Sequence, residues 1–187
     1  MPQLMTDSGL VRVPAGTWKV DPSHSSVGFE VKHMMIATVR GRFEEFDGVL
    51  EADEDISQSR AHGWANAASI NTGDPTRDEH LRSPEFFDVE RYPRITYEST
   101  RIEPAEGQLF RITGNLTIKG ATHEITMDAT VHGAGEDPWG NERVGVAVHG
   151  SIDRTDFGLT WQQALAKGGM LVGEKVKIQV DASAIRA

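Results

Sequence analysis

Apolar and polar residues alternate in short segments along most of the chain, and Gly, Pro, Asp and Asn separate these segments. The clearest segment covers residues 25–32, where Val27, Phe29 and Val31 share one face. A period of two residues is typical of β-strands with one buried side. The same pattern predicts further strands over residues 17–20, 39–52, 60–70, 95–102, 109–118, 124–133, 143–153 and 174–185.

Helical signals are confined to short insertions. Residues 75–81 place Pro75 at a first helical position, directly after Asp74 as a candidate N-cap, and predict one short helix. We expect single turns over residues 83–87 and 162–166. Within the long segment 39–52, Gly41 and Gly48 are the positions at which we expect a bulge or bend.

About eight strands and one helical insertion predict an all-β fold, an antiparallel eight-stranded barrel with a short helical cap. Closing the barrel leaves no exposed strand edge. A barrel of this size is either filled by its own side chains or holds one slim ligand. We expect residues 16–187 to form this single domain and residues 1–15 to be a loosely ordered arm.

Composition narrows the function classes. The 28 acidic and 19 basic residues give a formal charge of -9, which repels phosphate backbones and excludes nucleic acid as a favoured partner. Cysteine is absent, so no disulfide or thiolate chemistry is available. No apolar run is long enough for a membrane-spanning helix. The first residues lack the features of a secretory signal, and we therefore expect a cytoplasmic protein.

Catalysis has one candidate cluster, formed by Asp21, Ser23 and His24. On an extended strand Asp21 and Ser23 share a face while His24 points away, so we expect a turn rather than a catalytic relay.

Metal binding is a second alternative, and the sequence contains seven histidines. None has the spacing of a known ligand pair. A site that joins His24, His33 or His80 with Asp78 or Glu79 stays open, but the simpler interpretation is polar histidines at strand ends. We therefore predict no metal and no catalytic residue.

Several segments resemble the YceI-like, polyisoprenoid-binding family. The longest covers residues 69–100 and reads SINTGDPTRDEHLRSPEFFDVERYPRITYEST. Further matching segments are WKVDPSHSSVGFEVKH (18–33), VRGRFEEFDG (39–48), GNLTIKGATHEITM (114–127), IDRTDFGL (152–159) and VGEKVKIQVDASAI (172–185). The resemblance covers about residues 18–185, in matching order.

This resemblance implies a lipocalin-like barrel with an elongated internal pore. In the family the pore is associated with isoprenoid chains, including quinone tails, and many members are periplasmic. The resemblance therefore implies a long isoprenoid, quinone-like or fatty-acyl ligand, bound for sequestration or transport without catalysis and with no other cofactor. A small-molecule enzyme and a stress-response interaction module are the alternatives, and a homodimer is left open.

Apolar residues on the predicted strands and connections are the candidates for the pore lining. Phe86 and Phe87 follow the helix and are expected to close one end, whereas Phe157, Trp161, Leu165 and Met170 are expected to close or line the other. The remaining candidates are Val27, Phe29, Val31, Phe43, Gly63, Ala65, Ala67, Tyr97, Phe110 and Ile112. The alternative is that all of these pack a solid core.

The strand around Trp64 bears on that choice. One of its faces carries only Gly63, Ala65 and Ala67, which leaves space inside the barrel if this face points inward; an inward Trp64 would remove the space. The family pattern favours the open version. At the pore mouth, Arg77, His80 and Arg82 are candidates for binding a polar head group, although an ordinary solvated helix face, with Asp78 and Glu79 as partners, is the simpler explanation. Arg154 and Asp156 are expected to be structural.

Overall fold

The computed structural model describes residues 5–7 and 10–187 of the chain. It contains one α-helix, α1 (Pro75–Arg82), and short 3-10 turns at Pro22–His24, Ile56–Gln58, Ala67–Ser69 and Arg154–Phe157. The strands are β1 (Met5–Asp7), β2 (Leu10–Arg12), β3 (Gly16–Val20), β4 (Ser26–His33), β5 (Ala37–Phe43), β6 (Phe46–Ala52), β7 (Arg60–Asn66), β8 (Ile70–Asn71), β9 (Arg94–Pro104), β10 (Phe110–Ile118), β11 (Ala121–Glu136), β12 (Glu142–Asp153) and β13 (Val172–Arg186).

The strands from β3 to β13 close into one antiparallel barrel. Their order is β12-β11-β10-β9-β7-β6-β3-β13, and pairing of β13 with β12 completes the ring. The barrel wall has eight strands, three of which are interrupted. Beyond the interruption, β4 continues β3, β5 continues β6, and β8 continues β7. The predicted eight-stranded barrel with a short helical cap is confirmed.

The breaks do not fall at the glycines where the sequence predicts them. Residues 39–52 are interrupted at Glu44 and Glu45, and Gly41 pairs in regular register with Phe29. A Cβ atom on Gly41 would lie 2.3 Å from the Phe29 ring, so the glycine makes room for that ring and does not bend the strand. Gly48 is also regular and faces Gly63 on the next strand.

The helix prediction is confirmed. The Asp74 carboxylate accepts hydrogen bonds from the backbone N–H groups of Thr76 and Arg77 at 3.0 and 3.2 Å, which caps α1. Residues 83–87 form the expected turn. The expected turn over residues 162–166 is wrong, because Ala164 bridges to Met170 in an extended arrangement.

In the amino-terminal arm, β1 pairs antiparallel with β2. Residues 1–4, 8 and 9 of the arm lie outside the described residues, so its loose order stays a prediction. Among the described residues, no helix has the length and apolarity to cross a membrane.

Candidate ligand-binding cavity

The barrel encloses a cavity of about 680 Å³. Its walls are rows of small aliphatic side chains, such as Val176, Ile178 and Val180 on β13. These side chains point inward, yet each is only partly buried, because it borders empty space instead of another side chain. The interior of this barrel is therefore not filled by its own residues.

Trp18 closes one end of the cavity. Its side chain is completely buried and packs with Ala184 on the adjacent strand β13 and with Val144 on β12, the strand after it. The indole Nε1 donates to the Pro14 carbonyl at 2.8 Å, and the Arg186 guanidinium lies over the ring. This end, the closed end, is a packed apolar cluster.

The other end is the mouth, where α1, residues 83–87 and the loop of residues 158–171 meet. The His80 ring lies edge-on to Phe86 and Trp161, with centroids 5.0 and 4.9 Å away. His80 Nε2 lies 2.5 Å from Glu85 Oε2. The cavity reaches the surface here, because His80 lines it while 37% of its side chain is exposed. The expectation that Phe86 and Trp161 close opposite ends is wrong, since both lie at the mouth.

Arg154 holds the mouth loop in place. Its buried guanidinium donates to the carbonyls of Gly173 (2.8 Å), Leu159 (2.5 Å) and Trp161 (2.9 Å). Burial lowers the pKa of this guanidinium. Arg154 is structural, as predicted. The backbone carbonyl of Asp156 lies 2.7 Å from His123 Nε2, and this contact joins the 3-10 turn at Arg154–Phe157 to β11.

Most candidate lining residues do border the cavity. They are Val27, Phe29, Val31, Phe43, Gly63, Ala65, Phe86, Phe87, Tyr97, Ile112 and Trp161. Whether they contact a ligand stays a prediction.

Five candidates lie elsewhere, and for them the expectation is wrong. Ala67 is buried in the 3-10 turn that ends β7, and Phe110 is packed at the start of β10. Phe157 packs with Leu116, Ile118 and Leu159. Leu165 and Met170 belong to the bridged part of the mouth loop, outside the cavity. Alternation along a strand predicts on which face of the sheet a side chain lies. It does not predict how far along the barrel axis the side chain lies, or which path a loop takes.

The small face of β7 points inward. Ala65 packs with Phe43, Phe46 and Ile70, whereas Trp64 is on the outside with the Arg94 guanidinium stacked 4.1 Å from its ring. Ala65 is only 5% exposed, so the free volume does not lie directly in front of it.

Sequence reasoning missed the lining contributed by the last two strands. Val144, Val146 and Val148 of β12 border the cavity, together with Val176, Ile178, Val180, Ala182 and Ala184 of β13. Both segments alternate between apolar and polar residues, and this pattern predicted the two strands. The same pattern could have identified their apolar faces as cavity lining.

The cavity wall offers little to a polar ligand. The Tyr97 hydroxyl donates to the Ile112 carbonyl at 3.4 Å, and burial raises the pKa of Tyr97 to about 12. Among the described residues, every buried side-chain nitrogen and oxygen has a hydrogen-bond partner. A polar ligand inside the cavity would lose its hydration without compensation, whereas a hydrocarbon chain would not.

The three candidates for binding a head group do not all lie at the cavity. Arg77 and His80 line the mouth, although Arg77 already donates to the Thr72 hydroxyl at 2.7 Å and carbonyl at 2.9 Å. Arg82 instead turns away and donates to the carbonyls of Ala68 and Ile70 at 2.8 and 3.1 Å. The expectation for Arg82 is therefore wrong. Its side chain anchors α1 to the segment between β7 and β8.

Asp21, Ser23 and His24 come together more closely than expected, because Pro22–His24 forms a 3-10 turn. Ser23 Oγ lies 3.0 Å and Asp21 Oδ2 2.8 Å from the same nitrogen, His24 Nδ1. A relay needs the acid and the hydroxyl on different ring nitrogens. Arg143, Ser23 and His24 all bond the Asp21 carboxylate, with Ser23 the strongest influence, and together they hold its pKa well below the usual range. This geometry is a surface turn without a relay.

The candidate metal ligands are dispersed. His80 pairs with Glu85, His24 pairs with Asp21, and the Asp78 carboxylate accepts from Thr72 at 2.5 Å. Within the described part of the chain, no group of three or more His, Asp or Glu residues is arranged to hold a metal ion.

An eight-stranded antiparallel barrel around an apolar, capped cavity defines a lipocalin-like class of protein. The model of the YceI-like domain matches residues 18–184, and the chain therefore belongs to the YceI-like family. A UPF0312 protein of Staphylococcus aureus is 37% identical over 87% of this chain and 93% of its own length.

Solved structures share the fold. BcnA of Burkholderia cenocepacia superposes with a TM-score of 0.77 at 27% identity, over 88% of this chain and 98% of that one. A polyisoprenoid binding domain from Saccharophagus degradans gives a TM-score of 0.65 at 16% identity, over 91% of this chain and 98% of its own. At this identity the second likeness shows the fold alone.

Proposed function

We propose that this protein binds a long apolar lipid of the polyisoprenoid type inside its barrel, and that it sequesters or carries this lipid without catalysis. The observation that carries the proposal is the cavity of about 680 Å³, walled mainly by apolar side chains from Trp18 to the mouth. Volumes of this order hold a drug-sized ligand. A quinone with an isoprenoid tail, or a fatty-acyl chain, has the same apolar part.

The energetics support a hydrocarbon chain. Each buried methylene group contributes about 0.8 kcal/mol, so a chain of a few isoprene units offsets the ordering costs of binding. The polar end of such a ligand would lie near Arg77 and His80, two polar residues of the lining at the mouth. Membership of the YceI-like family supports the same ligand class.

Mass spectrometry of the purified protein tests this proposal. The protein is isolated without detergent, its lipids are extracted, and the amount bound per chain is measured. We expect a long-chain isoprenoid or quinone at near-stoichiometric amounts. Protein that carries no lipid, and that takes up none from mixed vesicles containing a long-chain isoprenol, would contradict the proposal.

A further inference from the structure

Four large apolar side chains are exposed next to the cavity mouth. Met34, Met35 and Ile36, at the turn between β4 and β5, are 39%, 65% and 81% exposed, and Met170 on the mouth loop is 50% exposed. The N–H of Met34 donates to the Leu171 carbonyl at 2.7 Å, which places the turn beside the loop. We call these four residues the apolar tip. Exposed apolar clusters on soluble proteins mark interaction sites.

The backbone conformation of the turn between β4 and β5 does not explain why it carries two methionines. Met34 and Met35 both have a left-handed backbone, with φ angles of 53° and 61°. Asn and Gly adopt that conformation more easily than methionine does. The turn would form more readily with small polar residues, so the two methionines serve something other than the turn.

Charge around the apolar tip differs from that of the whole chain. Residues 31–43 and 157–173 contain Lys32, Arg40, Arg42 and Lys167 but no Asp or Glu, although 28 acids occur in the 187 residues. Arg40 and Arg42 pair with Glu30 and Glu44 farther from the turn. Of the charged groups that the structure describes, no carboxylate lies within ion-pair distance of Lys32 or Lys167.

Acids across the mouth are largely engaged within the protein. On and after α1, Asp74 caps the helix, Asp78 is buried against Thr72, and Glu85 pairs with His80. Glu79 on α1 and Glu174, directly after Gly173, are the exposed acids nearest to this surface. The apolar tip is nevertheless flanked by Lys32 and Lys167, neither of which pairs with a carboxylate among the described residues, and this combination favours an anionic lipid surface.

The apolar tip is continuous with the cavity. Val31 and Val39, on the two strands that lead to the turn, line the cavity together with Leu171 and Val172 next to Met170. A lipid that leaves the mouth on this side passes His33, which also lines the cavity, and then meets the apolar tip. Methionine side chains adapt to irregular partners such as lipid chains.

We propose that the apolar tip docks the mouth of the barrel onto an anionic lipid bilayer, so that cargo passes between membrane and cavity without entering water. Met35, Ile36 and Met170 enter the interface while Lys32 and Lys167 contact the head groups. The value of docking for exchange rests on the proposed function, but the docking itself does not need cargo.

Vesicle flotation tests the docking. The full chain is mixed with vesicles of phosphatidylcholine alone or with phosphatidylglycerol in equal parts, and its lipid cargo is measured separately. We expect binding to the anionic vesicles that weakens in high salt. The double variant Met35→Asn with Ile36→Ser should bind about tenfold or more weakly, because it removes two apolar side chains from the interface. Asn suits the left-handed turn, so its thermal unfolding should match that of the wild type.

Trp139→Ser is the matched control. Trp139 is also 81% exposed, but it lies in the loop after β11, at the closed end of the barrel. Its removal should leave vesicle binding unchanged. Docking is wrong if the wild type floats with neither vesicle, if the folded double variant binds as well as the wild type, or if the variant abolishes only a dimer seen in sedimentation. Loss of flotation with normal cargo would separate failure of docking from failure of the proposed function.

Discussion

Several side chains on the inner wall of the barrel are small. Ala182 faces Val146 across β12 and β13, and both border the cavity. Across an eight-stranded barrel, such short side chains do not meet in the middle, whereas Trp18, packed with Val144 and Ala184, fills the closed end. The size of individual residues thus decides where the barrel is packed and where it is empty.

Ala182→Phe should occupy ligand space without unfolding the protein. The ring has the cavity in front of it, so we expect lipid uptake to fall severalfold while the melting temperature stays within a few degrees. Mass spectrometry of extracted lipid and a thermal unfolding curve measure the two effects. Gln179→Phe on the outer face of the same strand is the control and should leave uptake unchanged.

Ala67→Phe should have the opposite effect. Ala67 is 1% exposed and lies outside the cavity. A phenylalanine there overpacks a filled region and should lower the free energy of unfolding by about 1–3 kcal/mol. A urea titration measures this change. If Ala67→Phe proved neutral and Ala182→Phe destabilising, the free space would have to lie at β7 instead of β13.

Among the elements, the mouth loop depends on one buried cation. It has little regular structure, and Arg154 binds carbonyls at both of its ends. Arg154→Met would leave these buried acceptors unpaired, at about 1–3 kcal/mol for each group. We expect a clear loss of stability in urea and faster proteolysis within residues 158–171. Arg154→Lys keeps the charge but not the planar fork, and it should lie between the two.

At the closed end, ion pairs join Arg143 on β12 to two connections. The Arg143 guanidinium bonds Asp21 and Asp137, each at 2.8 Å. It is the main cause of the lowered pKa of Asp137, and after Ser23 it is the second cause of the lowered pKa of Asp21, so both values lie well below the usual 3.8. Groups with a depressed folded-state pKa stabilise the fold above their unfolded pKa, and this contribution is lost as the pH falls towards the folded value.

Arg143→Gln should therefore be less stable than the wild type at neutral pH. As the pH falls below about 4, the wild type loses the contribution of the two carboxylates, so the difference in free energy of unfolding should shrink. Urea unfolding over this range measures it. A difference that stays constant from neutral to acid pH would contradict the assigned role of the ion pairs.

For the whole molecule, an apolar cavity that its own side chains do not fill makes stability depend on cargo. A ligand that binds only the folded barrel stabilises it by about 2.7 kcal/mol when its free concentration is 100 times the dissociation constant. We expect delipidated protein to melt several degrees below lipid-loaded protein. Reloading with a long-chain isoprenol should restore the melting temperature, while a short, soluble alcohol should not. The cytoplasmic location stays a prediction.

Local order was well determined by the sequence alone. Alternation located the strands, the Asp74-Pro75 pair located α1, and the order of motifs predicted the family, because each of these depends on residues close together in the chain. The structural role of Arg154 was also predicted, whereas the inward direction of the small face around Ala65 was left open by the residues and favoured only by the family resemblance.

Only the tertiary structure decided which end of the barrel each loop reaches and which inward faces leave space. Phe86 and Trp161 are far apart in sequence, and their contact at the mouth depends on how the strands close into a barrel. The same closure sets Arg82 against Ala68, separates Phe110 from Ile112, and brings Met170 to the β4–β5 turn. An alternating pattern specifies a side of the sheet, but barrel height, loop path and unfilled volume arise from contacts between residues distant in the chain.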